Sequence, residues 1–131
     1  MSYLELFQRY TYAAGLTRDP AAIAACFTED GILEAPLVPP GHRLPRRLEG
    51  RDAIRAGVSA FHTEPAFEGT PNIAETRFAL HDTAEPGVFI AEIDAVTDLA
   101  DGSKVTVSLV QIFRARDGLI AHLRDYFAVP A

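Results

Sequence analysis

Hydrophobic positions in the first part of the chain recur with helical spacing. Apolar side chains between Tyr3 and Ala14 lie four, three and four residues apart, which predicts an amphipathic helix ending near Gly15. The pair Asp19-Pro20 is typical of a helix start, because the Asp side chain caps a free N–H and proline has none to leave unpaired. A short second helix is therefore expected over Ala21–Phe27.

The next stretch alternates between breaks and short elements. Residues 28–31 interrupt the pattern, and a brief strand is expected over Ile32–Ala35. Four prolines between Pro36 and Leu48 exclude a regular helix or a central strand there, so this segment is predicted to be a loop. Helical spacing returns near Gly50 and stops by Pro65, which predicts a third helix.

Beyond Pro71 the hydrophobic period changes from about 3.6 residues to 2, which is the spacing of strands. The turn signals Asp101-Gly102 and Asp117-Gly118 separate the last three strands and predict antiparallel hairpins. The four expected strands are Ile73–His81, Val88–Leu99, Lys104–Arg114 and Leu119–Val129. Three helices followed by such a meander predict an α+β fold in which the helices cover one face of the sheet.

Composition narrows the class of protein. A chain of 131 residues has room for one core, so residues 1–131 are expected to form a single domain. Its net charge of -6 argues against nucleic acid as a partner. With a lone cysteine, no long apolar run and no charged-then-apolar leader, we expect a cytoplasmic protein that does not bind a membrane.

One carboxyl lies on an otherwise apolar strand face. Strand alternation places Asp125 beside Leu123 and Phe127, where an unpaired carboxylate is costly. This position favours a polar cavity set into the core, although a solvated place at the sheet end would also explain it. Glu92 and Asp94 share a face of the second long strand, and an acid pair of this kind is more often solvated than part of a site.

The third long strand carries apolar residues on both faces. If helices cover one face, something else has to cover the other, and a second copy of the chain is the expected partner. We therefore predict a homodimer formed sheet to sheet.

The order of elements and three local strings resemble the nuclear transport factor 2-like superfamily, and within it the SnoaL-like branch of polyketide cyclases, ketosteroid isomerases and limonene epoxide hydrolase. The strings are Phe27-Thr28-Glu29-Asp30-Gly31, Leu48-Glu49-Gly50-Arg51-Asp52-Ala53-Ile54, and Asp117-Gly118-Leu119-Ile120 with Arg124-Asp125-Tyr126-Phe127. The resemblance implies a cone-shaped, curved, mostly antiparallel sheet whose three N-terminal helices close a deep apolar pocket.

The resemblance also assigns positions. The epoxide-hydrolase pattern places its two catalytic acids at Asp125 and Asp94, with Glu92 where that family has an arginine. Its water-binding tyrosine and asparagine fall on Leu33 and Ala35. The ketosteroid-isomerase pattern places its tyrosine at Tyr10, whereas its base falls on Ala35 and its acid on Val110.

We therefore predict Asp125 as a general base, with Asp94 or Glu92 as the proton donor, if the three carboxyls meet in the pocket. The alternative for such a cluster is a divalent cation, but no metal and no organic cofactor are expected. The predicted substrate-binding residues are Tyr10, Phe27, Leu33, Phe61, His62, Phe78, Val110 and Phe127.

The predicted activity is cyclisation, isomerisation or hydration of a small hydrophobic substrate, and the alternative is a ligand-binding module without catalysis. A basic loop on this acidic chain could hold an anionic group of the substrate or an acidic carrier protein. Its residues are His42, Arg43, Arg46, Arg47 and Arg51.

Overall fold

The fold, described by a computed structural model, pairs three helices with one curved sheet. The structure describes residues 2–62 and 69–128, without the side chain of His62. The helices are α1 (Tyr3–Thr11), which continues as a π-helix (Tyr12–Thr17), α2 (Pro20–Ala25) and α3 (Arg51–His62). The strands are β1 (Phe27–Glu34), β2 (Arg47–Glu49), β3 (Thr70–Pro71), β4 (Arg77–Asp82), β5 (Val88–Asp98), β6 (Lys104–Arg116) and β7 (Leu119–Tyr126).

Side chains cap the starts of the first two helices, and the cap at Asp19 is the one that the sequence predicts. Ser2 accepts a hydrogen bond from the Glu5 N–H at the start of α1, and Asp19 accepts one from the Ala21 N–H at the start of α2. Helix α3 packs closely on β2, since a Cβ added at Gly57 would overlap with Cδ1 of Leu48. None of the helices in the described part of the chain is long and apolar enough to cross a membrane.

The strands form a sheet in the order β2-β1-β7-β6-β5-β3, and β4 also pairs with β5. Neighbouring strands are antiparallel except β1 and β7, which are parallel. The β6–β7 hairpin turns at Asp117-Gly118, where both residues have positive φ, as a type I′ turn requires. The α+β class and the curved, mostly antiparallel sheet predicted from the sequence are confirmed.

Two predicted boundaries are wrong at the first strand. Helix α2 ends at Ala25 instead of Phe27, and β1 begins at Phe27 instead of Ile32. The polar residues 28–31 enter the strand because a shift of register between Phe27 and Ile32 lets Glu29 and Asp30 face solvent. Asp30 there pairs with Arg116 of β6 at 2.7 Å.

Two other elements also differ from the prediction. The predicted loop 36–48 contains the start of β2, a three-residue edge strand too short to show a period. The expected strand 73–81 is replaced by β3 before it and β4 at its end, and Asn72 caps the turn between them by accepting from the Glu75 N–H.

The core lies between the helices and the inner face of the sheet. Phe89 of β5 and Phe113 of β6 stack there with ring centroids 4.7 Å apart, and Phe7 and Tyr10 of α1 contact Phe113 edge-on. Both stacked rings are fully buried. This aromatic cluster fixes α1 on the sheet and leaves open space beside it, nearer β7 and α3.

Candidate functional site

A cavity of about 360 Å³ opens between the helices and the inner face of the sheet. Its wall is mostly apolar and includes Leu33 of β1, Val58 of α3 and Leu109 of β6. A volume in this range suits a small organic molecule. The cavity is therefore the candidate functional site, and the polar groups that line it decide what it can do.

Asp125 of β7 is the carboxyl in this cavity. Its register partner on β6 is Gln111, whose Nε2 donates to Asp125 Oδ2 at 3.4 Å. The other carboxyl oxygen, Oδ1, is buried without a hydrogen-bond partner in the described residues, and so is Gln111 Oε1. Buried polar atoms are rarely left unpaired, so these two oxygens indicate a place where a ligand group would bind.

Burial also sets the charge of Asp125. Loss of hydration raises the pKa of this carboxyl to about 7, and the hydrogen bond from Gln111 opposes the rise. Both the acid and the carboxylate are therefore populated near neutral pH. A carboxyl in this state can take up or release a proton under the conditions in which an enzyme works.

Tyr10 of α1 lines the same cavity. Burial and the nearby Asp125 raise the pKa of its phenol well above the ordinary value, so the hydroxyl stays protonated near neutral pH. Its ring packs edge-on against Phe27 and Phe113, with centroids 6.0 and 5.8 Å away. Tyr10 is therefore both part of the core and a neutral polar group at the site.

Glu92 and Asp94 lie on the opposite face of the sheet from Asp125. A carboxyl oxygen of Glu92 lies 2.5 Å from His81 Nε2. Asp94 accepts a hydrogen bond from the Ser108 hydroxyl at 2.6 Å. Both acids are exposed and line a depression of about 390 Å³ on the outer face. The condition under which Asp94 or Glu92 would act as the proton donor, that the three carboxyls meet in one pocket, is therefore not met.

The physical reason is strand alternation. In the register across β5, β6 and β7, Asp125 is level with Gln111 and Ala91, whereas Glu92 is level with Val110 and Tyr126. Neighbouring register positions point to opposite faces. The position carried over from the epoxide-hydrolase pattern therefore does not bring Asp94 to Asp125 in this chain.

The sequence model of the SnoaL-like domain family matches residues 7–123, which is most of the chain. This chain belongs to the SnoaL-like domain family. An uncharacterized PhzA/B-like protein of Pseudomonas aeruginosa is 32% identical over 106 residues, covering 77% of this chain and 67% of that protein.

Solved structures share the fold of this SnoaL-like domain. A Bacillus subtilis protein named "putative isomerase" superposes with a TM-score of 0.73 at 21% identity, over 95% of this chain and 84% of that one. A Pseudomonas putida protein named "putative polyketide cyclase" gives a TM-score of 0.66 at 22% identity, over 98% and 93% of the two chains. At these identities the likeness establishes the SnoaL-like fold.

Half of the predicted substrate-binding residues line the cavity of this SnoaL-like domain. They are Tyr10, Leu33, Phe61 and Phe127. Leu33 and Ala35, at the water-binding positions of the epoxide-hydrolase pattern, both line the cavity, and their side chains form no hydrogen bonds. The prediction for the side chain of His62 lies outside the described residues.

Three predicted lining residues lie elsewhere. Phe27 is fully buried in the core, where Tyr10 packs on it. Phe78 belongs to the edge strand β4, where its ring lies 4.9 Å from that of Phe7 and remains 47% exposed. Val110 alternates to the outer face next to Glu92. Their apolar character predicts burial somewhere, but it does not distinguish a cavity wall from a core or an outer face.

Gln111 and Arg18 are among the polar residues of the cavity that sequence reasoning missed. Gln111 is two residues from Leu109 and from Phe113, so the period of the strand could have placed it on the inner face. Arg18 follows Tyr10 by eight residues and Ala14 by four, which continues the inward-facing stripe of the first helix. Neither residue carries a carboxyl or an apolar side chain, as nearly all of the predicted site residues do.

The basic loop is partly structural. Arg46 Nε donates to the Val38 carbonyl at 2.7 Å, Arg51 Nε donates to the Phe27 carbonyl at 2.9 Å, and Arg47 pairs with Glu49 at 2.7 Å. The remaining two basic residues surround the cavity residue Phe61: the Arg43 guanidinium lies 5.8 Å from the centre of its ring and the His42 ring lies 5.9 Å away. Positive charge therefore borders the cavity at this residue.

Among residues 2–62 and 69–128, no three His, Cys, Asp or Glu side chains are grouped so that they could hold a metal ion. Cys26 is buried, its thiol donates to the Ala22 carbonyl, and burial raises the pKa of that thiol. It is therefore a small core residue and not an activated nucleophile.

Proposed function

We propose that this SnoaL-like domain is an enzyme that uses Asp125 for general acid–base chemistry on a small hydrophobic substrate, by cyclisation or isomerisation. One observation carries the proposal: a carboxyl titrating near pH 7 has an unpaired oxygen in an apolar cavity of about 360 Å³. The names of the isomerase and polyketide-cyclase neighbours support this reaction class.

In the proposed mechanism Asp125 acts twice. Its carboxylate removes a proton from the carbon next to a substrate carbonyl, and the C–H bonding electrons move into the enolate. In an isomerisation, the carboxylic acid returns that proton to another carbon. In a cyclisation, the enolate carbon attacks a second carbonyl, and the proton goes to the oxygen that becomes a hydroxyl.

Two neighbours have supporting roles in this proposal. Gln111 Nε2 donates to Oδ2, which orients the carboxyl and leaves Oδ1 for the substrate. Tyr10, held in its protonated form by burial and by Asp125, can donate a hydrogen bond to the substrate oxygen on which charge develops. No second carboxyl is needed, because one group with a pKa near 7 serves as base and then as acid.

Epoxide hydrolysis is not proposed. That reaction, as the resemblance describes it, uses two acids and a bound water, whereas Asp94 lies on the outer face and Leu33 and Ala35 offer no side-chain hydrogen bond. Enolisation requires only the groups that line the cavity.

The test is proton exchange on a simple ketone. In D2O, 2-tetralone exchanges its α-protons, and NMR measures the rate with wild type, Asp125→Asn and the outer-face control Asp94→Asn. We expect wild type and Asp94→Asn to accelerate exchange, with a wild-type rate that rises with pH through an apparent pKa near 7. The acceleration by Asp125→Asn should be smaller than that by wild type by a factor of about 10² to 10⁴.

Two results would count against the proposed catalytic activity. Equal acceleration by wild type and Asp125→Asn would remove Asp125 from the chemistry. Binding of 2-tetralone without any acceleration by wild type would favour the alternative, a ligand-binding module in which Asp125 and Gln111 only orient a polar group.

A further inference from the structure

The first helix connects the depth of the cavity to its opening. Tyr10, Ala14 and Arg18 lie at spacings of four residues and all line the cavity. Exposure increases along them, because Tyr10 is buried, Ala14 is half-buried and Arg18 is exposed. Arg18 therefore lies at the opening of the cavity.

The backbone at Arg18 is unusual. It ends the π-helix in the left-handed region, with φ 51° and ψ 36°, which costs energy for a residue other than glycine. π-Helical turns and left-handed residues both occur preferentially at functional sites. Here this geometry accompanies an arginine that lines the opening of the cavity.

The guanidinium of Arg18 has no hydrogen-bond or ion-pair partner within residues 2–62 and 69–128. The carboxylate next to it in sequence, Asp19, is used as the cap of α2. An unpaired guanidinium at the opening of an apolar cavity is a ready binding group for a carboxylate, since it can donate two parallel hydrogen bonds.

We propose that Arg18 recognises an anionic group and that the ligand of this cavity is a hydrophobic carboxylic acid, bound with its carboxylate at Arg18 and its reacting end at Asp125. This inference rests on the proposed function for the identity of the reacting end. It adds a substrate class and a binding residue that the proposed function does not include.

The charges at the two ends of the cavity favour one orientation of such a ligand. The deep end of the cavity holds Asp125, which repels a carboxylate when ionised, whereas the opening holds Arg18. In a chain of net charge -6, this local positive charge attracts an anion that the rest of the surface would repel. The apolar body of the acid would lie between these ends, against Leu33 and Val58.

The test compares two ligands that differ in charge. 2-Naphthoate and its neutral amide, 2-naphthamide, have nearly the same shape, and their dissociation constants are measured by calorimetry at low and high salt. NMR signals of Leu33 and Val58 verify that each ligand occupies this cavity. The variants are Arg18→Gln, Arg18→Lys and the control Arg114→Gln, which removes the same charge from an exposed position on the outer face.

We expect wild type and Arg114→Gln to bind naphthoate more tightly than naphthamide. Arg18→Gln should weaken naphthoate about tenfold and leave naphthamide nearly unchanged, because only the carboxylate loses its partner. Arg18→Lys should restore part of the affinity, and added salt should reduce the preference for naphthoate.

The outcomes separate the two proposals. If Arg18→Gln leaves the ratio of the two affinities unchanged, or wild type binds both ligands equally, the role of Arg18 is overturned while the cavity and Asp125 are unaffected. If neither ligand binds to wild type, both this inference and the hydrophobic cavity of the proposed function are overturned. Loss of proton exchange in Asp125→Asn with an unchanged naphthoate preference would support both.

Discussion

The two faces of the sheet give carboxyl side chains opposite environments. On the inner face, Asp125 has one weak donor at 3.4 Å, a buried unpaired oxygen and a pKa raised to about 7. On the outer face, Asp94 and Glu92 are exposed to solvent and have close partners in Ser108 and His81. The two acids with close partners are therefore also the two that water can reach.

The comparison shows that the number of partners does not identify a reactive acid. Water stabilises a carboxylate more effectively than a single amide does, so removing water changes the carboxyl more than removing a hydrogen bond. A functional carboxyl in this fold is therefore recognised as a buried carboxyl of the inner face that lacks hydration and hydrogen-bond partners. Its burial destabilises the folded chain until a ligand binds the carboxyl or a proton neutralises it.

The largest difference between the faces is expected from packing. Phe113 is fully buried on the inner face and contacts Phe89, Phe7 and Tyr10, so Phe113→Ala should lower the free energy of unfolding by about 3 to 5 kcal/mol. The neighbouring Ile112 alternates to the outer face and is half-buried, so Ile112→Ala should cost about 1 kcal/mol. Urea denaturation of both variants measures the two values.

Equal losses would contradict the difference between the faces. They would mean that the outer face is covered as well, as in the sheet-to-sheet homodimer that the sequence predicts. Light scattering on the same samples would then report a mass of two chains.

The next effect concerns the pH dependence of stability. Between pH 4 and pH 7 the folded chain keeps the proton on Asp125 that the unfolded chain has lost, so this group lowers the free energy of unfolding as pH rises. Asp125→Asn removes the penalty and should therefore stabilise the fold increasingly with pH. Its advantage over wild type should grow by roughly 2 to 3 kcal/mol between pH 5 and pH 8.5.

Urea denaturation at the two pH values measures this growth, and Asp94→Asn is the matched control. The carboxyl of Asp94 is exposed in the folded chain, so its replacement should change stability by a similar small amount at both pH values. A stabilisation by Asp125→Asn that is the same at pH 5 and pH 8.5 would show that Asp125 is not forced to hold its proton.

A smaller effect distinguishes the donors of the two acids. Gln111→Leu removes the hydrogen bond that opposes the effect of burial, so the pKa of Asp125 should rise above 7. Ser108→Ala removes the donor to Asp94 on the outer face and should leave the titration of Asp125 unchanged. Carbon-13 NMR of the Asp125 carboxyl follows both variants, and a lower pKa in Gln111→Leu would contradict the assigned role of the amide.

The sequence predicts the fold better than the site, and particular residues explain why. Periods of 3.6 and 2 locate all three helices and three of the long strands, and the Asp117-Gly118 turn fixes the β6–β7 hairpin, since these signals are local. Asp125 was also found locally, as a charge on an apolar face. That Asp125 shares its cavity with Gln111 and Arg18 is not a local signal, because it depends on which strands and which helix face lie opposite one another.

The separation of Asp94 from Asp125 also shows that the site depends on how the strands pair. The alternation within β5 had already placed Asp94 and Glu92 apart from the inward-facing Ala91 and Ile93, and the structure agrees with that local pattern. The assignment carried over from the epoxide-hydrolase pattern pointed the other way. A local physical signal was more reliable here than a transferred position, because the transferred role requires a pairing that only the register can establish.

The smallest effect is expected for the outer-face contact between His81 and Glu92. Both side chains are about half exposed or more, with exposed fractions of 49% and 63%, so water and salt screen their attraction. A double-mutant cycle with His81→Ala and Glu92→Gln should therefore give a coupling free energy below about 0.5 kcal/mol. A coupling above about 1 kcal/mol would require the pair to be shielded from water. A single chain cannot provide this shielding at such exposure, so that result would make the outer face a buried interface and not a solvated surface.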